Sequence, residues 1–482
     1  MDLSVQWEAV AYVTYIIGVW AARFGLIAYV LPRHRPSIAI AWIAVTLVHP
    51  FVGIPLYLFF GRPVMARSGV RAHDEARAYV EAHRPRPEAS ADRFDRIAPA
   101  HRDLARLAEQ LGKLQLQLDN TVEIVTTPAD FIDLLVREID GATQSVHLLY
   151  YICLVDATSQ RVAEALARAA RRGVTTRVMV DAVGSRVFFE EVGPALREAG
   201  AEVRVTLPVR MWRGKFARID VRNHRKVAVI DDRIGITGSH NLCDPSYGQS
   251  RIGSWHDLSL RLTGPAVEEL QAVFLQDWIA EGERTLDRCA APVPAERLDD
   301  GVPVLVSPAG PGYRNQAFRD LLVSAINEAD RRLILTTPYF VPDEPALLAL
   351  CLRAQAGLDV RIVVPERTNS ALVNAACRPA LEYALDAGVK VHLHQTGLLH
   401  AKALTVDDAF AVVGSGNFDR RSFDLNYELN LLLFGSKVTR DLRAAQEAYI
   451  AQSREMSLEE LRARPYHRRV VDAAASIVAP LL

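Results

Sequence analysis

Two long, mainly apolar runs open the chain, at residues 5–31 ("VQWEAVAYVTYIIGVWAARFGLIAYVL") and 37–60 ("SIAIAWIAVTLVHPFVGIPLYLFF"). A helix crossing a bilayer takes about 20 apolar residues. Each run therefore predicts a transmembrane helix, with the polar "PRHRP" as the turn between them. A cleaved signal peptide is not expected, because the first run has no basic leader or small-residue cleavage site and a second run follows it. A charge at the centre of a span costs on the order of 3 kcal/mol, so Arg23 is expected to stretch its apolar stem toward the "PRHRP" side. In the second run His49-Pro50 and Pro55 predict a kink, since proline donates no helical hydrogen bond. The pattern leaves open whether this segment crosses straight or bends back. Arg62, Arg67 and Arg71 beyond the second run outnumber Arg33 and Arg35 in the turn, which favours a body on the cytoplasmic side.

Past residue 62 the pattern changes. Residues 63–120, rich in Ala, Arg, Glu and Pro, are expected as a solvated, partly helical connector. Beyond it, strand-like and helix-like runs alternate, as in α/β proteins, and the alternation occurs twice. The first half reads "SVHLLYYIC", "VAEALARAARRGV", "TTRVMVDAVGS", a helix ending at "REAGAEVRV", then "NHRKVAVIDDRIGITGSHNL". The second reads "RLILTTPYF", "ALLALCLRAQAGL", "DVRIVVPERTNS", a helix ending at "LDAGVKVHL", then "LHAKALTVDDAFAVVGSGNF". An internal repeat of this length predicts two homologous α/β domains, residues 121–295 and 296–482, packed about a pseudo-twofold axis. The first half carries an arginine-bearing insert, "PVRMWRGKFARIDVRN", which reads either as a solvated loop or as a contact for anionic head groups.

Composition then removes several functions. With 56 Lys and Arg against 57 Asp and Glu, no global attraction to nucleic acid is expected. The five cysteines (Cys153, Cys243, Cys289, Cys351, Cys377) are scattered without zinc-type spacing or a disulfide framework. That fits a reducing, cytoplasm-facing body.

The repeat encloses a chemical signature. His224, Lys226 and Asp231 have the same spacing as His400, Lys402 and Asp407. After six intervening residues come Gly238, Ser239 and Asn241 in one half, and Gly414, Ser415 and Asn417 in the other. On a strand, period-two alternation would turn each His and Lys to the same face. Two imidazoles, two ammonium groups and two amides converging across a twofold form a donor-rich cluster that calls for an anion. A phosphodiester fits: Lys, Ser and Asn would hold its non-bridging oxygens, one imidazole would attack phosphorus, and the other would protonate the leaving alkoxide. This chemistry requires no metal, and no cofactor is expected.

The duplicated H-x-K-x4-D string resembles the signature of the phospholipase D superfamily, over the chain from about residue 120 onward. "RHRPSIAIAWIAVTLVHPFVGIPLYLFFGR", "TTPYFVPDE", "GNFDRRSFDLNYELN" and the ending "RPYHRRVVDAAASIVAPLL" are similar to bacterial cardiolipin synthases within it. The resemblance implies an enzyme with a phosphohistidine on His224 and acid–base work by His400, the reverse assignment staying open. It also implies that a trailing carboxylate orients each histidine, with Asp257 and Glu428 in that place. Asp231 and Asp407 belong to the signature either as catalytic groups or as caps of the turn after the strand. The implied reaction joins two phosphatidylglycerol molecules at a bacterial inner membrane, with anionic phospholipid and the bilayer as partners; a hydrolase or a transferase to another alcohol is the alternative. Acceptor selectivity and oligomeric state stay open.

Overall fold

The computed structural model describes every residue except 1–2, 34–35, 58–60, 62–66, 85–92, 209–219, 248–252, 283–297, 299 and 479–482. Most of the arginine-bearing insert, Cys289 and the expected 295/296 domain boundary lie outside the described residues. The chain divides into two compact units, residues 1–66 and 67–482.

The first unit starts with helix Leu3–Val30, 28 residues long; the stretch Val10–Arg33 is long and apolar enough to cross a membrane. The second apolar run departs from expectation. It forms two helices, Pro36–Val48 and Pro50–Leu56. Among the described residues no second helix reaches spanning length. The cause is local: Pro50 disfavours helical backbone at the preceding residue, and His49 is extended (φ −147°, ψ 91°). The expected kink is thus a full break. A Cβ at Gly53 would lie 2.6 Å from Thr46 Cα, so glycine lets these helices pack closely. The guanidinium of Arg23 lies 4.8 Å from the Trp20 ring centre. It therefore points toward the helix N-terminus, as Cα–Cβ bonds do, and not toward "PRHRP".

In the second unit the sequence repeat becomes a repeat of strand order. One half runs Gln117–Val125, Ser259–Thr263, Ile234–Gly238, Val227–Ile230, Ser145–Tyr150, Thr175–Asp181, Glu202–Thr206 across the sheet. The other runs Val302–Ala309, Glu428–Phe434, Phe410–Gly414, Ala403–Val406, Arg332–Thr336, Asp359–Pro365, Lys390–His394, with Ser453–Met456 added at the edge. The halves meet where Gln117–Val125 pairs antiparallel with Val302–Ala309. Antiparallel pairing of equivalent strands gives the arrangement its twofold character and one continuous 15-stranded sheet. Helices cover both faces, so the central strands read as continuous apolar runs. Val227–Ile230 and Glu428–Phe434 are buried throughout.

The expected solvated connector is instead part of this unit. Helix Arg67–His83 buries Ala76 and Val80 in the same core as Val267 and Leu270 of helix Ala266–Ala280. Helix Arg102–Gly112 buries Leu104, Ala105, Ala108 and Leu111 against the second half. Both carry apolar residues at helical spacing, a signal hidden by the charge and proline around them.

Candidate functional site

Each His-x-Lys lies on the extended lead-in to a strand, just before Val227–Ile230 or Ala403–Val406, and not within the strand itself. The lead-ins are held across the twofold. His224 donates its backbone N–H to Tyr427 O (2.9 Å), and His400 donates to His256 O (2.8 Å). Tyr427 and His256 immediately precede Glu428 and Asp257. A short parallel pair, Leu398–Leu399 with Trp255–His256, secures the second of these crossings.

This exchange brings each histidine to the other half's carboxylate. His224 Nδ1 is 3.0 Å from Glu428 Oε2, and His400 Nδ1 is 2.6 Å from Asp257 Oδ1. With Nδ1–H donating to a carboxylate, Nε2 keeps its lone pair, the tautomer an attacking imidazole needs. The serines sit one layer further back. Ser239 Oγ donates to Asp257 Oδ1 (2.7 Å) and Ser415 Oγ to Glu428 Oε2 (2.5 Å). Both serines are fully buried. Their hydroxyls are therefore engaged in fixing the carboxylates, where the sequence had suggested phosphate ligands.

Lys226 Nζ donates to His224 O (2.7 Å) and Lys402 Nζ to His400 O (2.5 Å). The ammonium groups thus turn back toward the histidine of their own motif. Burial pushes Lys226 down to about 8 and Lys402 down to about 7. It pushes His224 down to about 4, and burial with the Lys402 charge pushes His400 down to about 3. Burial opposes ionisation of the carboxylates too, but His400 holds Asp257, and His224 holds Glu428, below the usual carboxylate range. At neutral pH the core of the site therefore holds two carboxylates, two neutral imidazoles, the Lys226 ammonium and Lys402 in the middle of its titration. The sequence reading of a cluster with almost no acceptors is corrected: Asp257 and Glu428 balance the lysines, and an entering phosphodiester brings the charge that favours protonating one imidazole.

Asp231 and Asp407 do not reach this site. They stand at the far ends of strands Val227–Ile230 and Ala403–Val406, with left-handed backbones (φ 51° and 48°). Asp231 accepts from the backbone N–H groups of Thr143, Gln144 and Ser145, and Asp407 from those of Asp330, Arg331 and Arg332. Each ties its turn to the start of the neighbouring strand, a structural contact.

A cavity of about 320 Å³ is lined by both His224 and His400, together with Asn241 and Asn417. Asn241 Oδ1 accepts from Ile152 N (3.2 Å) and its Nδ2 donates to Tyr247 Oη (3.1 Å). Tyr151, Tyr339, Trp255 and Arg421 complete much of the wall. The aromatic residues went unassigned from sequence. Tyr151 packs edge-on to His224 (4.8 Å), while Trp255 stacks on Tyr247 (3.8 Å) and lies 4.9 Å from His400. The tyrosines stand one position out of register in the two halves, Tyr151 in "YYIC" opposite Pro338 and Tyr339 in "PYFV" opposite Ile152.

Arg225 was likewise missed, although "HRK" against "HAK" marked it. It is fully buried, its Nη1 donates to both carboxylate oxygens of Asp277 (2.7 and 2.8 Å), and its Nε donates to Glu428 O (3.1 Å). Asn223 Nδ2 also donates to Asp277 (2.9 Å). One buried ion pair thus braces the residues on either side of the His224–Glu428 contact. Ala401 stands in the equivalent place and makes no such contact.

Comparison with known proteins agrees with this geometry. The family model described as "Cardiolipin synthase, PLD-like domain" matches residues 135–278 and 322–449, once in each half. A "Phospholipase_D-nuclease N-terminal" model matches residues 16–62. The chain is 34% identical to cardiolipin synthase A of Pectobacterium carotovorum, covering 97% of this chain and 98% of that one. It is 35% identical to the Edwardsiella ictaluri protein of the same name, over 97% and 99%, and 33% identical to that of Proteus mirabilis, over the full length of both. Among solved structures, a phosphatidylserine synthase from Haemophilus influenzae shares the fold, with TM-score 0.60 and 14% identity over 79% of this chain and 100% of that one.

Proposed function

The chain belongs to the cardiolipin synthase family of phosphatidyltransferases, and on that premise we propose that it moves a phosphatidyl group from one phosphatidylglycerol to the terminal hydroxyl of another, releasing glycerol. The observation that carries the mechanism is the reciprocal pairing of His224 with Glu428 and of His400 with Asp257 at one cavity.

Glu428 holds His224 with Nε2 unprotonated, and this nitrogen attacks phosphorus. The bond from phosphorus to the glycerol oxygen breaks, and His400, protonated once the anion has entered, gives its Nε2 proton to that oxygen. Asp257 stabilises the imidazolium through Nδ1–H. Lys226, Lys402, Asn241 and Asn417 hold the non-bridging oxygens, where negative charge builds. The second phosphatidylglycerol then brings its terminal hydroxyl. Neutral His400 takes the proton, the oxygen attacks phosphorus, and the Nε2–phosphorus bond breaks to release cardiolipin.

Water would resolve the same intermediate to phosphatidic acid. A site at the bilayer keeps lipid hydroxyls at high effective concentration and limits water. The N-terminal helix supplies an anchor for this. The broken helix pair after it completes a second crossing in our reading, leaving the catalytic unit on the cytoplasmic side of the inner membrane.

The test is incubation of the purified protein with phosphatidylglycerol vesicles. Cardiolipin and glycerol in equal amounts are expected. Phosphatidic acid as the sole lipid product refutes the transferase assignment.

A further inference from the structure

The ending "RPYHRRVVDAAASIV" has no role in this chemistry, yet it forms a well-placed helix, Tyr466–Val478. Its inner side is specified in detail. Asp472, only 5% exposed, accepts from Arg378 Nη1 (2.8 Å) and Arg464 Nε (3.1 Å). Ala475 packs with Ala375 and Ala376 of helix Ala371–Asp386 and with Val341. Ala376 and Val341 also line the catalytic cavity. The C-terminal helix therefore backs the cavity wall directly.

Its outer side is apolar. Tyr466, Val470, Ala473 and Ile477 recur at i, i+4, i+7 and i+11, a single stripe on a helix, roughly opposite Asp472 and Ala475. Tyr466 is 82% exposed and Ile477 79%. Val470 is also exposed, as is Val471. On the neighbouring helix Leu372 is exposed next to Val373, which lines the cavity. His467 and Arg469 flank the stripe, Arg469 half exposed and 3.3 Å from Glu382.

We propose that the outer stripe of the C-terminal helix lies in the surface of an anionic lipid bilayer and holds the catalytic cavity against it. A helix with one apolar face, an aromatic residue at its start and basic neighbours suits the interface of such a membrane. The choice of a bilayer over another protein rests on the phosphatidylglycerol reading above. A cavity whose substrates are anchored in a membrane has to meet that membrane, and the stripe belongs to the helix that backs its wall. Phosphatidylglycerol also supplies negative charge to meet Arg469 on the flank of the stripe.

The test uses the full chain reconstituted in vesicles of phosphatidylglycerol and phosphatidylcholine, with Val470→Ser and Ile477→Ser combined. Cardiolipin formation from long-chain phosphatidylglycerol in the bilayer is expected to fall at least fivefold. Turnover of short-chain phosphatidylglycerol below its micelle concentration is expected to stay at the wild-type rate. No change with either substrate overturns the proposal, and so does an equal fall with both, which would mean that the helix only supports the cavity wall. If the wild type turns over neither substrate, the phosphatidyl-transfer reading fails instead. As a second readout, Ala473→Cys in a Cys289→Ser background carries an environment-sensitive fluorophore; the other four cysteines are buried. Quenching by lipids with brominated chains is expected. An unquenched signal overturns the proposal, as does a blue shift that ignores those lipids and vanishes on dilution, the behaviour of a contact with a second copy of the chain.

Discussion

Replacing Asp231 with alanine should damage stability and spare chemistry, although Asp231 belongs to the signature that marks the catalytic motif. Its Oδ2 accepts from Thr143 N (2.8 Å) and Thr143 Oγ (2.9 Å), and its Oδ1 from Gln144 N (2.7 Å) and Ser145 N (2.8 Å). A hydrogen bond contributes about 0.5–1.5 kcal/mol net. The turn is partly exposed and its freed donors can meet water, so these four together contribute about 2 kcal/mol. Alanine at φ 51° adds about 1 kcal/mol of backbone strain. The sum, about 3 kcal/mol, should lower the melting midpoint by on the order of 5 °C. Asp231→Asn keeps an acceptor and tolerates the left-handed backbone, so about 1 kcal/mol should be lost. Melting by intrinsic fluorescence in detergent, paired with kcat per folded molecule at a temperature where both variants remain folded, separates the two effects. Asp231→Ala melting like the wild type while losing turnover a hundredfold would refute the structural assignment.

Other outcomes follow from the site. His224→Ala and His400→Ala should each abolish turnover with melting unchanged to within a few degrees; full activity in either would sink the two-histidine mechanism. Asp257→Asn and Glu428→Gln should each lower kcat by roughly a hundredfold, with KM little changed, because the affected histidine loses its tautomer and orientation; steady-state kinetics on vesicles would show it. Stability should fall as pH drops from 6.5 toward 4. His147, His224 and His240 lie at about 4 and His400 at about 3 in the folded protein, so over that window the unfolded chain binds more protons. The slope is up to about 1.4 kcal/mol per pH unit for each histidine, and melting midpoints that stay level from pH 7 to pH 5 would contradict it. Toward high pH, kcat/KM should decline as Lys402 and Lys226, at about 7 and about 8, lose the protons that bind phosphate; a plateau to pH 10 would argue against their role.

The repeat, the α/β class and the paired His-x-Lys were legible because each is written in local sequence, as periodicity, punctuation and spacing. What escaped depends on partners distant in the chain. Asp257 and Glu428 could be picked out as carboxylates, but their exchange between halves joins positions 143 and 204 residues apart. Ser239 and Ser415 followed the motif so closely that phosphate contact was the natural expectation; only their burial shows them on the carboxylates. Asp277 carries no local mark at all, lying mid-helix in "VFLQDWIAE", and takes its meaning from Arg225. The connector was misjudged for the opposite reason, its surface charge masking the apolar positions of helices Arg67–His83 and Arg102–Gly112.

The crossing of carboxylates has a consequence for descent. Neither half holds a finished histidine, so an ancestor with only one copy of this fold would have gained activity by pairing with its twin, and both of its sites would have been identical. Joining the twins in one chain preserves the pairing and removes the obligation to match. Asp257 opposite Glu428, Arg225 opposite Ala401 and His256 opposite Tyr427 are differences that a self-associating ancestor could not have kept. Fusion let the two imidazoles become distinct individuals, one free to specialise in attack and the other in carrying the proton.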